Sequence, residues 1–344
     1  TDLEINWLAI AILIYLWVQH ELSYDEYNQK SDRLYRLIQT QYYSSGPLTT
    51  VCMPGPIAGD IKEEIPEIVN SFTYYALTVS VNHGEKTFTE EIRLSDPELF
   101  EMFDFKFIAG NPAHVFDDPN SVIITEKMAK KLFEDQDPLG ELITLNNELD
   151  FKVSGVIKEI PKNSSFRFDI CIPFEVIEKM GFTIDRYGWN TYYVYTELAE
   201  NVDYRDVNVK IKKYLEEKSR KQNEAEGGDE YDSNIDLFLF PLEKIHLHSY
   251  RPDDRGAIQF IYIFSAIAVF IIVIACINFM NMSTARASKR AREISIRKSV
   301  GADRHNLIRQ FLGESIIISL LAMILALVLV MVLLPYFNLL VEKE

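Results

Sequence analysis

Three stretches of the sequence are apolar almost without interruption, and the remainder alternates between apolar and polar positions. Phe260 to Met280 carries no formal charge, and Ile316 to Leu334 has Ser319 as its only polar residue. As helices rising 1.5 Å per residue, they reach about 31 and about 28 Å, near the roughly 30 Å hydrocarbon core of a bilayer. Buried helices of soluble proteins seldom run so long without a charge, so both are expected to span a membrane. Trp7 to Val18 is shorter and reaches only about 18 Å, the length of a signal-peptide core or an interfacial helix. The sequence begins with Thr1, no basic segment precedes this run, and no small-residue cleavage site follows it. Trp7 and Trp17 also suit interface levels. Residues 1–20 are therefore read as the outer part of a truncated first span.

Between the first two apolar runs the pattern is that of a folded α+β domain, residues 21–255. Arg33–Gln41 and Ile68–Tyr75 read as strands, with a helix over Pro56–Glu64 between them. Thr78–Asn82 and Thr87–Leu94 alternate around His83-Gly84-Glu85, a hairpin signal. Ser121–Thr125 leads as a strand into a helix at Glu126–Phe133. Leu142–Leu145 and Asp150–Ile157 flank Asn146-Asn147-Glu148 as a second hairpin. Strand Thr191–Thr196, helix Tyr204–Arg220 and strand Ile235–Phe240 follow. Gln222–Ser233 is low in complexity and reads as an exposed loop. A strand–helix–strand unit near each end brackets a strand-rich middle. The expected architecture is thus an α/β subdomain built from both ends, with a β-rich subdomain inserted at about residues 90–180.

Charge orients these elements. From residue 286 onward there are nine Lys/Arg against five Asp/Glu, a net of +4, which leaves −20 of the total −16 for residues 1–285. Arg286, Lys289, Arg290, Arg292, Arg297, Lys298, Arg304 and Arg309 all lie in the short connection between the second span (258–282) and the third (313–340). Short loops rich in Lys and Arg stay cytoplasmic. The large acidic domain and the segment after the third span then lie on the other side. Interrupting acids, an apolar face and a position between two membrane helices argue against nucleic acid as the partner of this basic loop.

The search for catalytic chemistry finds little. The sequence has no phosphate-binding G-x-x-x-x-G-K-[ST] loop, no G-x-S-x-G elbow, no H-E-x-x-H and no paired C-x-x-C, so it reads as a non-enzyme without a cofactor of its own. His246 and His248 would share a face if they lie on a strand, a conceivable metal pair that no third histidine or cysteine completes. Asp117 and Asp118 lack the ordered spacing of a calcium loop. Cys52 and Cys171 belong to the exported region and are expected as free thiols, and Cys276 falls within the second span.

The basic connection, residues 283–312, holds the remaining candidate. Helix-forming residues run to Lys298, Gly301 fits a helix C-cap, and Asp303 can cap a following helix with Leu307, Ile308, Phe311 and Leu312 on one face. Such an elbow is either a positive-inside anchor at the headgroups or a coupling helix that docks into a cytoplasmic partner. In the second reading Ile294 and Ile296 supply apolar contact, and Arg292, Glu293, Arg297 and Lys298 supply ionic specificity.

The string Arg292-Glu293-Ile294-Ser295-Ile296-Arg297-Lys298-Ser299-Val300-Gly301-Ala302 closely resembles the coupling signature of the FtsX-like permeases of ABC transporters, particularly the MacB-type mechanotransmission group. Ala275-Cys276-Ile277-Asn278-Phe279-Met280-Asn281 with Ser283-Thr284-Ala285-Arg286 is similar to the end of that family's second span. Leu132-Phe133 before Asp137-Pro138-Leu139-Gly140 resembles a motif of its periplasmic core domain, and His20-Glu21-Leu22-Ser23-Tyr24-Asp25 resembles the exit from its first span. The resemblance covers nearly the whole sequence. It implies an α+β periplasmic domain joined to transmembrane helices in a bacterial inner membrane, and a half-permease of four spans that pairs with a second half or copy. A cytoplasmic P-loop ATPase, which carries the ATP, would bind Arg292, Glu293, Ile294, Ile296, Arg297, Lys298, Gly301 and Ala302. ATP hydrolysis would then move the periplasmic domain rather than pass a substrate between the spans. Family tasks include export of peptides, antibiotics or toxins with an adaptor and outer-membrane channel, extraction of lipoproteins, and activation of cell-wall hydrolases. The short first run and the stop after a third span predict a fragment, one half of a tandem-repeat permease. A transmembrane sensor with a periplasmic ligand-binding domain is the alternative of another class, and a membrane-anchored periplasmic enzyme a third.

Overall fold

The computed structural model describes residues 2–182, 184, 190–226, 235–251, 254–299 and 304–340, with backbone alone at 2–4, 219–226, 286–295, 297–299, 304, 306–308, 311, 339 and 340. These fall into two compact units, residues 1–23 with 256–344 and residues 24–255.

Helix α1 (Asp2–Leu22) precedes strand β1 (Leu34–Tyr43), which turns back into β2 (Gly46–Thr50). Helix α2 (Ile57–Glu64) leads to a 16-residue strand β3 (Ile68–His83) and, through a two-residue turn, to β4 (Lys86–Ser95). Next come α3 (Leu99–Met102), β5 (Phe107–Ala109), β6 (Ser121–Thr125) and α4 (Glu126–Phe133). Strands β7 (Leu142–Leu145), β8 (Leu149–Ile157), β9 (Ile170–Pro173) and β10 (Tyr193–Leu198) follow, then α5 (Tyr204–Glu226), β11 (Ile235–Pro241) and α6 (Leu242–Ile245). Two long helices, α7 (Ile258–Ser299) and α8 (Arg304–Leu340), complete the described chain.

Local chemistry accounts for several of these boundaries. The Thr125 side chain accepts a hydrogen bond from the Met128 N–H at 3.2 Å and caps α4. Asn146 and Asn147 adopt positive φ angles of 52° and 59°, a conformation asparagine tolerates better than most residues, and so turn β7 into β8. Gly140, at φ 87°, lets Asp137-Pro138-Leu139-Gly140 fold back so that the Gly140 N–H reaches the Val153 carbonyl at 2.8 Å.

All eleven strands join one hydrogen-bonded network, with the path β11-β1-β10-β3-β4-β9-β6-β8-β5, β2 on β1, and β7 bridging β3 and β8. The β7 bridge closes a ring: β3, β4, β9, β6, β8 and β7 pair in turn and return to β3. Alternate residues point inward, namely Val79 and Val81, Ile92 and Leu94, Ile170 and Ile172, Val122 and Ile124, Phe151 and Val153, Ile143 and Leu145, and Met128, Leu132 and Phe133 of α4 pack into the same core. The strand-rich middle is therefore a small six-stranded barrel that borrows the far half of β3 from the flanking sheet. The sequence predicts two strands here, Ile68–Tyr75 and Thr78–Asn82, since Tyr75-Ala76-Leu77 interrupts the alternation of β3.

The other half of the path, β11-β1-β10 and the near half of β3, is a two-sided sheet. One face packs Tyr35, Leu37, Val194 and Leu239 against Ile57 and Ile61 of α2 and Val207, Ile211 and Leu215 of α5. The opposite face is aromatic: Phe72, Tyr74 and Tyr195 pack with Phe103, Phe166 and Phe168. Residues 222–226, expected in a loop, continue α5, since glutamine, alanine and two glutamates, four of the five, favour helix; the rest of that expected loop lies outside the described residues.

In the other unit, Ile5–Leu22, Ile258–Ala285 and Leu312–Asn338 are long and apolar enough to cross a membrane. Ala9 and Leu13 of α1 are buried against Ala326 and Val330 of α8. Large apolar side chains elsewhere on α7 and α8 stand exposed, Phe270 at 67% and Met331 at 74%, a surface water would disfavour.

Candidate functional site

The apolar run that starts α7 passes without a break into the basic segment. The helix continues unbroken from Ile258 to Ser299, 42 residues or about 63 Å. Its last 14 residues, Arg286–Ser299, carry six Lys/Arg and one Glu. Helix α8 likewise runs in one piece from Arg304 into its apolar part. The basic connection is thus two helical extensions of the apolar helices. Of the sequence-predicted coupling residues, Arg292, Glu293, Ile294, Ile296, Arg297 and Lys298 lie on the α7 extension. Gly301 and Ala302 lie outside the described residues, as does Asp303.

Positions 294 and 296 are two residues apart, which places them about 200° apart around the axis, so they do not make one apolar face. Position 296 instead shares a side with 292 and 293, four and three residues away. The Ile296 side chain is 61% exposed.

The chain enters the large unit at Tyr24. Asp25, wholly buried and at φ 64°, is tied to the loop before β9. Its backbone N–H donates to the Asn163 carbonyl at 2.8 Å, and its Oδ1 accepts from the Ser165 N–H at 2.8 Å and the Ser164 hydroxyl at 3.4 Å. Burial pushes its carboxyl up from the ordinary range, against the lowering effect of the Ser165 and Ser164 bonds and of His246. The neighbouring Tyr24 ring stacks on His246 at 3.3 Å, nearly parallel at 3°. Asn28 Oδ1 accepts from the Asp104 N–H at 3.1 Å, and Asp104 Oδ2 accepts from the Gln29 N–H at 2.6 Å. Residues 24–29 are in this way fastened to segments more than 70 positions away. In the sequence Tyr24 and Asp25 belong only to the motif that starts at His20, and no local pattern marks Asp25 as buried.

His246 and His248 lie at the exit of β11 rather than on the strand. Pro241 ends β11, and α6 turns the backbone before residue 246, so the two histidines no longer alternate on a pleat. Asp117 meets His114 at 3.0 Å, and Asp118 accepts from the Asn120 N–H at 2.8 Å, both ordinary turn contacts. No group of three or more His, Cys, Asp and Glu is placed to hold a metal among the described residues. Cys52, Cys171 and Cys276 are free thiols.

Two family models match the sequence. The MacB-like periplasmic core domain matches residues 8–214 and the FtsX-like permease C-terminal region matches residues 265–344. The ABC transporter permease YknZ of Bacillus subtilis is 28% identical over 221 residues, 63% of this chain and 48% of that protein. The macrolide export ATP-binding/permease protein MacB of a Shewanella species is 25% identical over 269 residues, 76% of this chain and 38% of that protein. The chain spans less than half the length of these relatives. A permease-protein domain from Porphyromonas gingivalis aligns with TM-score 0.49 at 20% identity, over 62% of this chain and 92% of that one. The periplasmic region of MacB from Actinobacillus actinomycetemcomitans aligns with TM-score 0.42 at 15% identity, over 61% and 90%. With the core-domain model covering more than half of its residues and the permease model covering its last helices, the chain belongs to the FtsX-like permeases with a MacB-like periplasmic core domain.

Proposed function

We propose that this chain is the permease part of a mechanotransmission ABC transporter in a bacterial inner membrane. A separate or fused P-loop ATPase holds and hydrolyses the ATP in the cytoplasm. It docks on the α7 extension at Arg292, Glu293, Ile294, Ile296, Arg297 and Lys298, with Gly301 and Ala302 following. The observation that carries this reading is the continuity of α7: one rigid helix joins that basic segment to the apolar span. Helices transmit displacement along their axis because every backbone hydrogen bond is internal to the element. A push at residues 286–299 would therefore reach the far end of the span with little loss.

In this reading α1, α7 and α8 cross the membrane, the 24–255 unit lies in the periplasm, and a second half or copy completes the permease. A periplasmic adaptor and an outer-membrane channel are further partners where the cargo leaves the cell. The excess of Lys and Arg on the short connection between the α7 and α8 spans supports this orientation.

Cysteine accessibility in intact cells tests the topology. With Cys52, Cys171 and Cys276 replaced, Tyr43→Cys should react with a membrane-impermeant maleimide, and Ile296→Cys should react only after the inner membrane is opened. Labelling of position 296 from outside would overturn the orientation and the docking role with it.

A further inference from the structure

Arg36 lies on the aromatic face of the sheet without an acid to pair with. On β1 it sits directly opposite Tyr195 of β10 and Phe240 of β11. Its guanidinium carbon is 5.2 Å from the centre of the Tyr193 ring and 5.9 Å from that of Tyr195. Tyr74 stacks on Tyr193 at 4.9 Å, and Tyr250 meets the Phe240 ring edge-on at 6.4 Å. The guanidinium thus has Tyr74, Tyr193, Tyr195 and Tyr250 as its electrostatic neighbours.

No described Asp or Glu forms an ion pair with Arg36, and its buried Nε has no hydrogen-bond acceptor. Arg33 and Arg93 make the contrast: the first pairs with Glu197 and Glu200, the second with Glu91. A cation that has given up much of its water ordinarily recovers the loss from a carboxylate. In a segment with a net charge of −20, leaving one arginine unpaired is not forced by any shortage of acids.

Ring stacking occupies the flat faces of a guanidinium and leaves its edge for acceptors in the plane. That edge matches the two oxygens of a carboxylate or a phosphate, which it binds with paired, charge-assisted bonds. Tyrosine hydroxyls add neutral donors around it. Arg36, Tyr193 and Tyr250 are each only half-buried, so a ligand can reach the group from solvent. We propose that Arg36, with Tyr74, Tyr193 and Tyr250, binds an oxyanion group, a carboxylate or phosphate whose carrier lies against the tyrosine rings. This site is independent of how the ATPase docks.

The test uses the full chain in neutral detergent at low ionic strength. Equilibrium dialysis against radiolabelled inorganic phosphate and against radiolabelled benzoate measures soluble oxyanions. Chain reconstituted in nanodiscs of phosphatidylcholine with or without phosphatidylglycerol, then re-purified, has its retained lipid counted by mass spectrometry. The expected result is one saturable site for at least one probe. Binding should be about tenfold or more weaker in Arg36→Gln, partly kept in Arg36→Lys, which retains the charge without the fork, and unchanged in Arg33→Gln. Retention of phosphatidylglycerol alone would assign a lipid headgroup as the ligand, and uptake of phosphate or benzoate a soluble one. Tyr250→Leu, which removes a hydroxyl and leaves Arg36 in place, should also weaken binding and covers the case in which Arg36→Gln fails to fold. Equal binding by wild type and Arg36→Gln, or no saturable site with any probe, would overturn the assignment.

Discussion

The buried carboxylate of Asp25 accepts the Ser165 N–H at 2.8 Å across 140 positions of sequence, so the first residues after α1 are anchored by the loop between β8 and β9. Only Oδ1 is engaged; Oδ2 is buried without a partner. A charge held with one oxygen unsatisfied is costly, whereas an amide keeps the useful acceptor and carries no charge. Asparagine also tolerates the left-handed backbone at this position. Asp25→Asn is therefore expected to match or exceed the wild type in urea denaturation of the full chain, read by near-UV circular dichroism. Asp25→Ala, which loses the acceptor, is expected to lose about 1–3 kcal/mol.

Asp96 gives the fold a pH dependence near neutrality. Its carboxyl is raised to about 7, chiefly by burial and further by Glu98, while the Thr73 N–H bond at 2.7 Å and Lys62 act in the opposite direction. A carboxyl with a folded pKa above its unfolded value binds more protons in the native state. Stability from this group is complete at pH below the unfolded value of about 4 and is lost as pH rises to about 7. The difference in unfolding free energy between wild type and Asp96→Asn should change steadily over that window. A constant difference would show that Asp96 titrates normally in the folded state.

The turn between β7 and β8 depends on two residues in the left-handed region. Asn146 also accepts the Ser80 N–H through its side chain at 3.1 Å, tying the turn to β3 where the barrel closes. Replacing Asn146 by Ala adds backbone strain of about 1 kcal/mol and removes this bond, for a total near 2 kcal/mol. Asn147→Gly relaxes the same φ but gives up the bond that Asn147 Oδ1 accepts from the Asn82 amide at 2.9 Å, so it should cost less than Asn146→Ala, about 1 kcal/mol or below. Both are measurable by urea midpoint.

Ile324 lies midway along the apolar part of α8 and is 56% exposed. An arginine there would place a charge at the centre of the span, at a cost of about 2.5–3.5 kcal/mol on insertion scales. Ile324→Arg is expected to reduce insertion of α8 in a glycosylation-reporter assay, while the 24–255 unit keeps its near-UV spectrum. Normal insertion would argue that α8 packs in an aqueous or protein interior.

Much of this architecture could be read from the residues, and the exceptions have physical causes. Helix Glu126–Phe133 and the turn at Asn146-Asn147 carry local signals, a threonine cap and paired asparagines, and their positions follow from sequence directly. Barrel closure does not, because β3–β7 pairing joins Val81 to Leu145 over a long separation and no local pattern encodes it. His246 and His248 would share a face on a strand, but they lie at its exit, past Pro241 and α6. At the candidate docking site the residue types were legible, and the helix adds that positions 294 and 296 lie about 200° apart around its axis. An arginine in an alternating strand normally reads as solvent-facing, so no local signal marks the place of Arg36 on the aromatic face.

Association with an ATPase is the most direct test of the central claim. The complete parent protein is extracted in mild detergent, and bound proteins are identified by mass spectrometry beside a Glu293→Arg control and an Ile294→Pro variant, which interrupts the α7 extension. The account predicts a P-loop ATPase held by the wild type and lost from both variants, with the 24–255 unit still folded. Retention in both variants would move the contact off α7. Absence of any ATPase from the intact wild type would contradict the permease reading and favour a sensor.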